Sequence, residues 1–380
     1  MSVERASGRI SVLERQISAL PVGSAGADDE TSSSPPAVLG RYASQRLLLL
    51  TGNAHRALAR DVASSLGVEL CKARVETFKN GETSVELFES VRDCDCFVVQ
   101  PTCNPRPNDY LMELLLLLDA LRRAGAARVT AVVPFYGYAR QDRMDRLRVP
   151  ISAKLVTDCI YQSGAARILT LDLHASQIQG MGTLPFDNVY GLPLIAGHLL
   201  DSLGANAIRS TQGADVAIVS PDAGGAKRAE LLAKELGASI ALFSKRRERA
   251  NEVAGMDLVG TVRGKLCILI DDMVDTAGTL CLAAEQLREH GAARIVAAAT
   301  HGIFSDPAIE RITASPIEQL AVLDTIPMAD QARACSKIHV IPAASLLAGS
   351  IHTLHFGGQI SHLYKGTKGW EQRLRTEASS

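Results

Sequence analysis

From Arg46 onward the chain alternates short apolar runs with longer amphipathic stretches. Runs at 46–51, 96–100, 129–133, 167–171, 215–219, 239–243, 266–270 and 294–299 are β-branched or leucine-rich, the pattern of strands covered on both faces. Between them Ala54–Leu66, Tyr110–Ala124, Ile151–Ser163, Gly225–Leu236 and Thr279–His290 place apolar residues at helical spacing. Strands separated by helices imply right-handed crossovers, and hence an α/β fold with a mostly parallel sheet flanked by helices.

Leu121–Val132 aligns with Leu287–Ala298 at an offset of 166, which suggests a tandem duplication into two related α/β domains. Gly164-Ala-Ala-Arg167 repeats the central phrase of both, so that phrase also reads as a generic helix stop followed by a strand start. The expected organisation is an N-terminal extension over 1–44, one domain over 45–188, a second over 189–345, and a segment over 346–380 that packs back on the first domain before a loose tail. Residues 1–44 hold nine serines, three prolines and an acidic Asp28-Asp29-Glu30 patch, too little apolar surface for a core.

Composition narrows the class. Over 380 residues, 47% hydrophobic and 21% charged is an ordinary globular mixture, and a net charge of −1 gives no broad basic face for nucleic acid. The longest apolar stretch, Leu111–Leu121, is interrupted by Glu113 and Asp119 and is far shorter than a membrane span. Eight cysteines lie without a C-x-x-C pair, which points to reduced thiols rather than a zinc site or disulfide frame. These features lead us to expect a cytoplasmic protein. Arg9-Ile10 through Gln16-Ile17 loosely resembles an N-terminal peroxisomal import signal, the alternative address.

The chemistry concentrates in Cys267-Ile-Leu-Ile-Asp271-Asp272-Met-Val-Asp275-Thr276-Ala277-Gly278-Thr279-Leu280. An apolar strand ends in paired carboxylates, passes through small and hydroxyl residues, and opens a helix. Backbone N–H groups, two hydroxyls and the helix N-terminus there suit a phosphate, whereas paired aspartates suit sugar hydroxyls or a metal. Other charged groups also follow apolar runs. Tyr138–Arg148 carries four arginines and two aspartates, Asp172-Leu-His174 a carboxylate and a histidine, Ser220-Pro-Asp222 an acid before two glycines, and Lys245–Arg249 four basic residues. Taken alone, the arginine run reads equally as a solvated charged turn, a lone histidine is more often structural than a ligand, and a basic run is usually a solvated face.

The Asp271–Thr279 segment resembles the phosphoribosyl-pyrophosphate motif of type I phosphoribosyltransferases. Further stretches match class I ribose-phosphate pyrophosphokinases: Phe78-Lys-Asn80-Gly-Glu82, Tyr138-Ala-Arg140-Gln141-Asp142, Asp172-Leu-His174-Ala-Ser-Gln177, Ser220-Pro-Asp222-Ala-Gly-Gly, Lys245-Arg-Arg247 and His301-Gly-Ile-Phe-Ser305. The likeness runs from about Leu47 to Tyr364. It implies two phosphoribosyltransferase-like domains and transfer of the pyrophosphoryl group of MgATP to ribose 5-phosphate. It further implies ATP binding by Arg140, Gln141 and Asp145, with Phe78, Asn80 and Glu82 supplied by a neighbouring subunit. Ribose 5-phosphate would be held by Asp222, Asp271, Asp272, Asp275, Thr276, Ala277, Gly278 and Thr279, and Mg²⁺ by His174, Asp172 and Asp222. Lys245 and Arg247 would act from a mobile catalytic loop. Homo-oligomers, typically hexamers, and a phosphate-activated site at Ser90, Arg92, Arg148 and Gln177 complete the implication. A phosphoribosyltransferase that consumes the product and a non-catalytic associated subunit are the alternatives.

Overall fold

The computed structural model describes residues 41–204, 215–249 and 252–364. Expectations for the N-terminal extension, the import-like segment and the tail lie mostly outside these residues.

Five parallel strands form the first sheet: β1 (Leu47–Thr51), β4 (Asp95–Val99), β5 (Arg128–Val133), β6 (Arg167–Leu171) and β7 (Phe186–Val189), in that order. Between β1 and β4 an antiparallel hairpin, β2 (Ala73–Thr77) and β3 (Thr83–Leu87), stands apart from the sheet. The second sheet has seven strands: β8 (Val216–Ser220), β9 (Ser239–Arg249), β10 (Glu252–Val259), β11 (Leu266–Val274), β12 (Arg294–Gly302), β13 (Gln319–Leu323) and β14 (Ile338–Ile341). Their order is β10-β9-β8-β11-β12-β13-β14, and only the β9–β10 pair is antiparallel.

The two sheets repeat one topology. β1-β4-β5-β6-β7 corresponds to β8-β11-β12-β13-β14, with a hairpin inserted after the first strand in each. This correspondence carries the duplication better than the Gly-Ala-Ala-Arg phrase does. All three copies of that phrase do the same thing locally, since Gly125, Gly164 and Gly291 take positive φ after a helix, and Arg128, Arg167 and Arg294 open strands.

Helices α1 (Arg56–Leu66), α2 (Pro107–Arg123) and α3 (Ser152–Gln162) flank the first sheet. The second is flanked by α4 (Leu192–Leu203), α5 (Ala226–Leu236), α6 (Gly278–Glu289) and the short α7 (Ala308–Ala314) and α8 (Asp330–Ala334), and the last helix is α9 (Ala344–Phe356). One apolar cluster joins both sheets through Leu58, Val62, Ile195, Leu199, Leu232, Leu347 and Ile351, so α1, α4, α5 and α9 share an interior. Helix α9 lies against α1, which brings the end of the described chain back to the first sheet.

The expected strands and helices form, with ends displaced by a few residues. The structure extends the sequence reading at Lys245–Arg249: β9 continues through this run, pairing Lys245 with Met256 and Arg247 with Val253 of β10. Hairpin pairing supplies the regular backbone that the absence of apolar periodicity concealed. The strands β2, β3, β7, β10, β13 and β14 also escaped the pattern. In β2 and β3 only every second residue, Ala73 and Val75 with Val85 and Leu87, packs on the apolar core, so neither shows a continuous apolar run, while β7 and β14 are short edge strands of four residues.

Candidate functional site

The carboxyl ends of β6, β8 and β11 converge on a cleft of about 610 Å³ between the two sheets. Ligands in open α/β sheets bind at this edge because crossovers leave it open and helix N-termini point toward it. The long β11 carries its apolar residues into the core and then places Asp271 and Asp272 at the cleft.

Asp272 is buried, and its Oδ2 lies 2.7 Å from His174 Nδ1. Arg228, in the first turn of α5, approaches Asp272 Oδ1 at 3.6 Å and Asp271 Oδ1 at 4.0 Å. Burial opposes ionisation of Asp272, but the His174 hydrogen bond and the Arg228 charge outweigh it and hold this carboxyl below the usual range. Asp271 goes the other way, raised by burial and by its ionised neighbour. Two adjacent carboxyls thereby separate into an anion and a group that takes a proton easily. The Asp272 bond also raises His174, with burial working against it.

Past β11 the chain turns through Asp275 and Thr276 into Ala277, whose φ of 58° makes it the left-handed residue of the turn. The left-handed position thus falls on an alanine, one residue before Gly278. Gly278 serves close approach: a Cβ there would lie 3.3 Å from Arg311 Nη1, which donates to Thr276 O at 2.9 Å. No side chain caps α6, so its first backbone N–H groups remain available beside Thr276 and Thr279 for an anion.

Arg140 crosses from the first half of the chain and donates through Nη1 to Asp275 Oδ2 at 2.7 Å. Asp222 caps the turn after β8, its Oδ1 accepting from Gly224 and Gly225 N–H at 3.0 and 3.2 Å. Gln177 borders the cleft and donates to Asp142 Oδ2 at 2.5 Å.

The remaining candidates stand apart within one chain. Phe78, 56% exposed, sits at the hairpin tip with Asn80, which donates to Glu82 Oε2 at 2.8 Å. These three residues do not line the cleft, nor do Gln141, Asp145, Ser90, Arg92 or Arg148. Gln141 instead accepts from Ser152 Oγ at 2.6 Å, and Arg148 is exposed with φ of 64°. Lys245 and Arg247 are placed here by backbone register alone.

Asp172, expected among the metal ligands, is already engaged by other donors. Although it borders the cleft, its buried Oδ2 accepts from Gly191 N–H at 2.8 Å and Thr300 Oγ1 at 2.6 Å, in the seam between the two halves. Among the described residues no group of three His, Cys, Asp or Glu side chains is gathered for a metal. His174 nonetheless fits one: Asp272 takes its Nδ1, the carboxylate partner that orients a ligating imidazole through its other nitrogen. The cysteines line no part of the cleft; all eight are free, and burial raises the thiols of Cys71, Cys96, Cys103, Cys267 and Cys281.

Arg228 and His301 fall beside or inside the sequence motifs, yet the sequence assigns neither of them a role, and nothing in it singles out Arg311 or Thr300. A signal existed for Arg228. A cation in the first turn of a helix opposes the helix dipole unless anions face it, and Asp271 and Asp272 do.

A duplicated, mostly parallel α/β fold with a carboxylate-rich strand end and an open helix N-terminus defines a phosphoribosyl-binding class of protein. Comparison with known proteins makes this specific. Residues 47–164 match the family model for the N-terminal domain of ribose phosphate pyrophosphokinase, and residues 245–365 that of the phosphoribosyl synthetase-associated domain. Ribose-phosphate pyrophosphokinase A of Dictyostelium discoideum is 47% identical over 85% of this chain and 99% of its own. The ribose-phosphate pyrophosphokinase of Xanthomonas campestris is 48% identical over 84% of this chain and 98% of its own. The crystal structure of phosphoribosylpyrophosphate synthetase from Mycobacterium smegmatis superposes with a TM-score of 0.75 at 40% identity, covering 82% of this chain and 99% of that one. The chain belongs to the ribose-phosphate pyrophosphokinase family.

Proposed function

We propose that the cleft transfers the pyrophosphoryl group of ATP to the anomeric hydroxyl of ribose 5-phosphate, yielding phosphoribosyl pyrophosphate and AMP. The observation that carries this reading is the Arg140–Asp275 contact. It puts a basic group of the first half, suited to a polyphosphate, directly against the phosphate-type loop of the second.

Asp275–Thr279 and the start of α6 hold the 5-phosphate, which leaves Asp271 and Asp272 for the ribose hydroxyls. The anomeric oxygen attacks the β-phosphorus in line, a bond to that phosphorus forms, and the bond to the bridging oxygen of AMP breaks. AMP leaves with the electron pair while the hydroxyl proton passes to solvent. Such a transfer asks for positioning and charge more than for a covalent partner. Arg140 takes the polyphosphate in exchange for Asp275, and Lys245 and Arg247 bring charge from the β9–β10 hairpin. Bound Mg²⁺ would neutralise phosphoryl charge and fix the geometry of the polyphosphate. His174, oriented by Asp272, would hold it with Asp222 nearby and substrate oxygens filling the remaining positions, as suits an ion that favours few protein ligands.

Phe78, Asn80 and Glu82 do not line their own cleft, which supports an assembly in which the hairpin serves a neighbouring copy. The hexamer and phosphate activation at Ser90, Arg92, Arg148 and Gln177 belong to the same reading, as does a cytoplasmic location. Among the described residues no helix is long and apolar enough to cross a membrane.

The test follows AMP and phosphoribosyl pyrophosphate from purified protein with MgATP and ribose 5-phosphate, with and without inorganic phosphate. Equimolar products, reduced about 10²- to 10³-fold in Lys245→Ala, are expected. Folded protein that binds ATP but forms no AMP at any phosphate concentration would move the reading to a non-catalytic associated subunit.

A further inference from the structure

The turn that carries His174 is built across the seam between the two halves. Asp172 has φ of 39°, a left-handed conformation that a non-glycine residue adopts at some cost and keeps only when its surroundings impose it. Those surroundings are on both sides. On the first sheet, Asp172 N–H donates to Val189 O at 2.9 Å, and Leu173 N–H to Asn188 Oδ1 at 3.0 Å. From the linker, Gly191 N–H donates to Asp172 Oδ2.

The second sheet contributes through the end of β12. Thr300 Oγ1 reaches the same carboxylate oxygen, and His301 Nε2 lies 3.2 and 3.3 Å from the carbonyl oxygens of Leu171 and Asp172. Since carbonyls only accept, Nε2 carries the proton; a neutral ring then accepts at Nδ1, 2.8 Å from Thr325 Oγ1. Phe135 packs edge-on against the ring at 5.0 Å between centroids. Two residues beyond Asp172, His174 reaches its partner Asp272 at the end of β11, the strand beside β12.

We propose that Asp172 is a positioning residue rather than a metal ligand: its carboxylate and the Thr300 hydroxyl lock the turn that presents His174 to Asp272 and to the metal. Asp172 is recruited as a hydrogen-bond acceptor, and its charge is not used at the metal. The proposal rests on His174 being the metal-holding group.

The experiment uses the full chain and Mn²⁺ as probe, measuring free Mn²⁺ by electron paramagnetic resonance with ribose 5-phosphate present. Steady-state Mg²⁺ dependence is measured in parallel. Asp172→Asn keeps an acceptor oxygen and loses the charge; it should retain Mn²⁺ affinity within about threefold. Thr300→Val should weaken binding about tenfold, the scale seen on removing outer partners of metal ligands, and Thr300→Ser should restore it. At saturating Mg²⁺ the turnover of Thr300→Val should return to near wild type, a split that a generally misfolded variant would not show. If Asp172→Asn loses as much affinity as His174→Ala while Thr300→Val binds normally, the proposal is overturned. If His174→Ala leaves Mn²⁺ binding intact, the underlying assignment of the metal site falls instead.

Discussion

Asp95 ties three distant parts of the chain together, and its removal should be costly. The side chain is fully buried at the start of β4, where it accepts from Arg128 Nε at 2.7 Å, from Arg128 Nη2, and from His355 Nδ1 at 2.8 Å. Arg128 stacks over Tyr42 at 4.1 Å and donates to Leu354 O at 2.9 Å, so this pair anchors α9 to the first sheet. Asp95→Ala strands a guanidinium whose side chain is only 9% exposed. Breaking a buried pair from one side costs about 3–5 kcal/mol, chiefly the penalty for the uncompensated charge. With an unfolding entropy of about 2.1 cal/mol/K per residue, about 0.8 kcal/mol/K over 380 residues, the melting temperature should fall by about 4–6 °C. Calorimetry on Asp95→Ala, Arg128→Met and the double variant separates charge from packing. The double variant should lose at least about 2 kcal/mol less than the sum of the singles, because no charge is left unpaired. A shift below about 1 °C, or additive losses, would refute the reasoning.

Other outcomes follow from the same geometry. Burial pushes Asp324 up to about 6, above its unfolded value, so its contribution is full below about pH 4 and is lost as pH rises through 6. Asp324→Asn, which keeps an acceptor for Ala343 N–H, should therefore gain about 1–3 kcal/mol over wild type at pH 8 and little at pH 4; equal gaps at both pH values would contradict this. The raised His174 keeps its proton above pH 6.5, so its pairing with Asp272 stabilises fully below that pH and fades as pH passes the higher folded value. Metal affinity should climb over the same interval, and Asp272→Asn should move the Mn²⁺ titration midpoint to lower pH; an unmoved midpoint would count against that pairing. Co-assembled Phe78→Ala and Lys245→Ala chains should regain activity that neither has alone, since a sound hairpin from one copy would serve a sound cleft in the other. No recovery in demonstrated mixed oligomers would place the hairpin's role elsewhere.

Much of this protein was legible along the chain because the signals are local. Buried parallel strands need continuous apolar runs, helices need their spacing, and glycine marks where Gly125, Gly164 and Gly291 reverse the chain. The Asp271–Thr279 loop was readable for a similar reason: strand end, turn and helix start are contiguous, so one stretch of sequence contains most of the phosphate cradle. The hairpins were harder, since a ribbon such as β2–β3 turns only alternate residues, Ala73 and Val75 with Val85 and Leu87, to the core and shows no continuous apolar run, and the basic run at Lys245 offers no apolar pattern.

What the linear chain determined by itself is therefore the class of fold, the family, and the candidate groups of the site. Only the tertiary structure decided which of those groups work together. Asp172 and His174 are two residues apart and look like one ligand set, yet the left-handed turn sends the first carboxylate to Thr300 and Gly191 and the second side chain to Asp272. Arg140 meets Asp275 across 135 positions, and Arg228, on helix α5, divides its charge between two aspartates of β11. Hydrogen bonds and ion pairs act over a few ångströms regardless of separation along the chain, so partners brought together by sheet packing leave no periodic trace in the sequence.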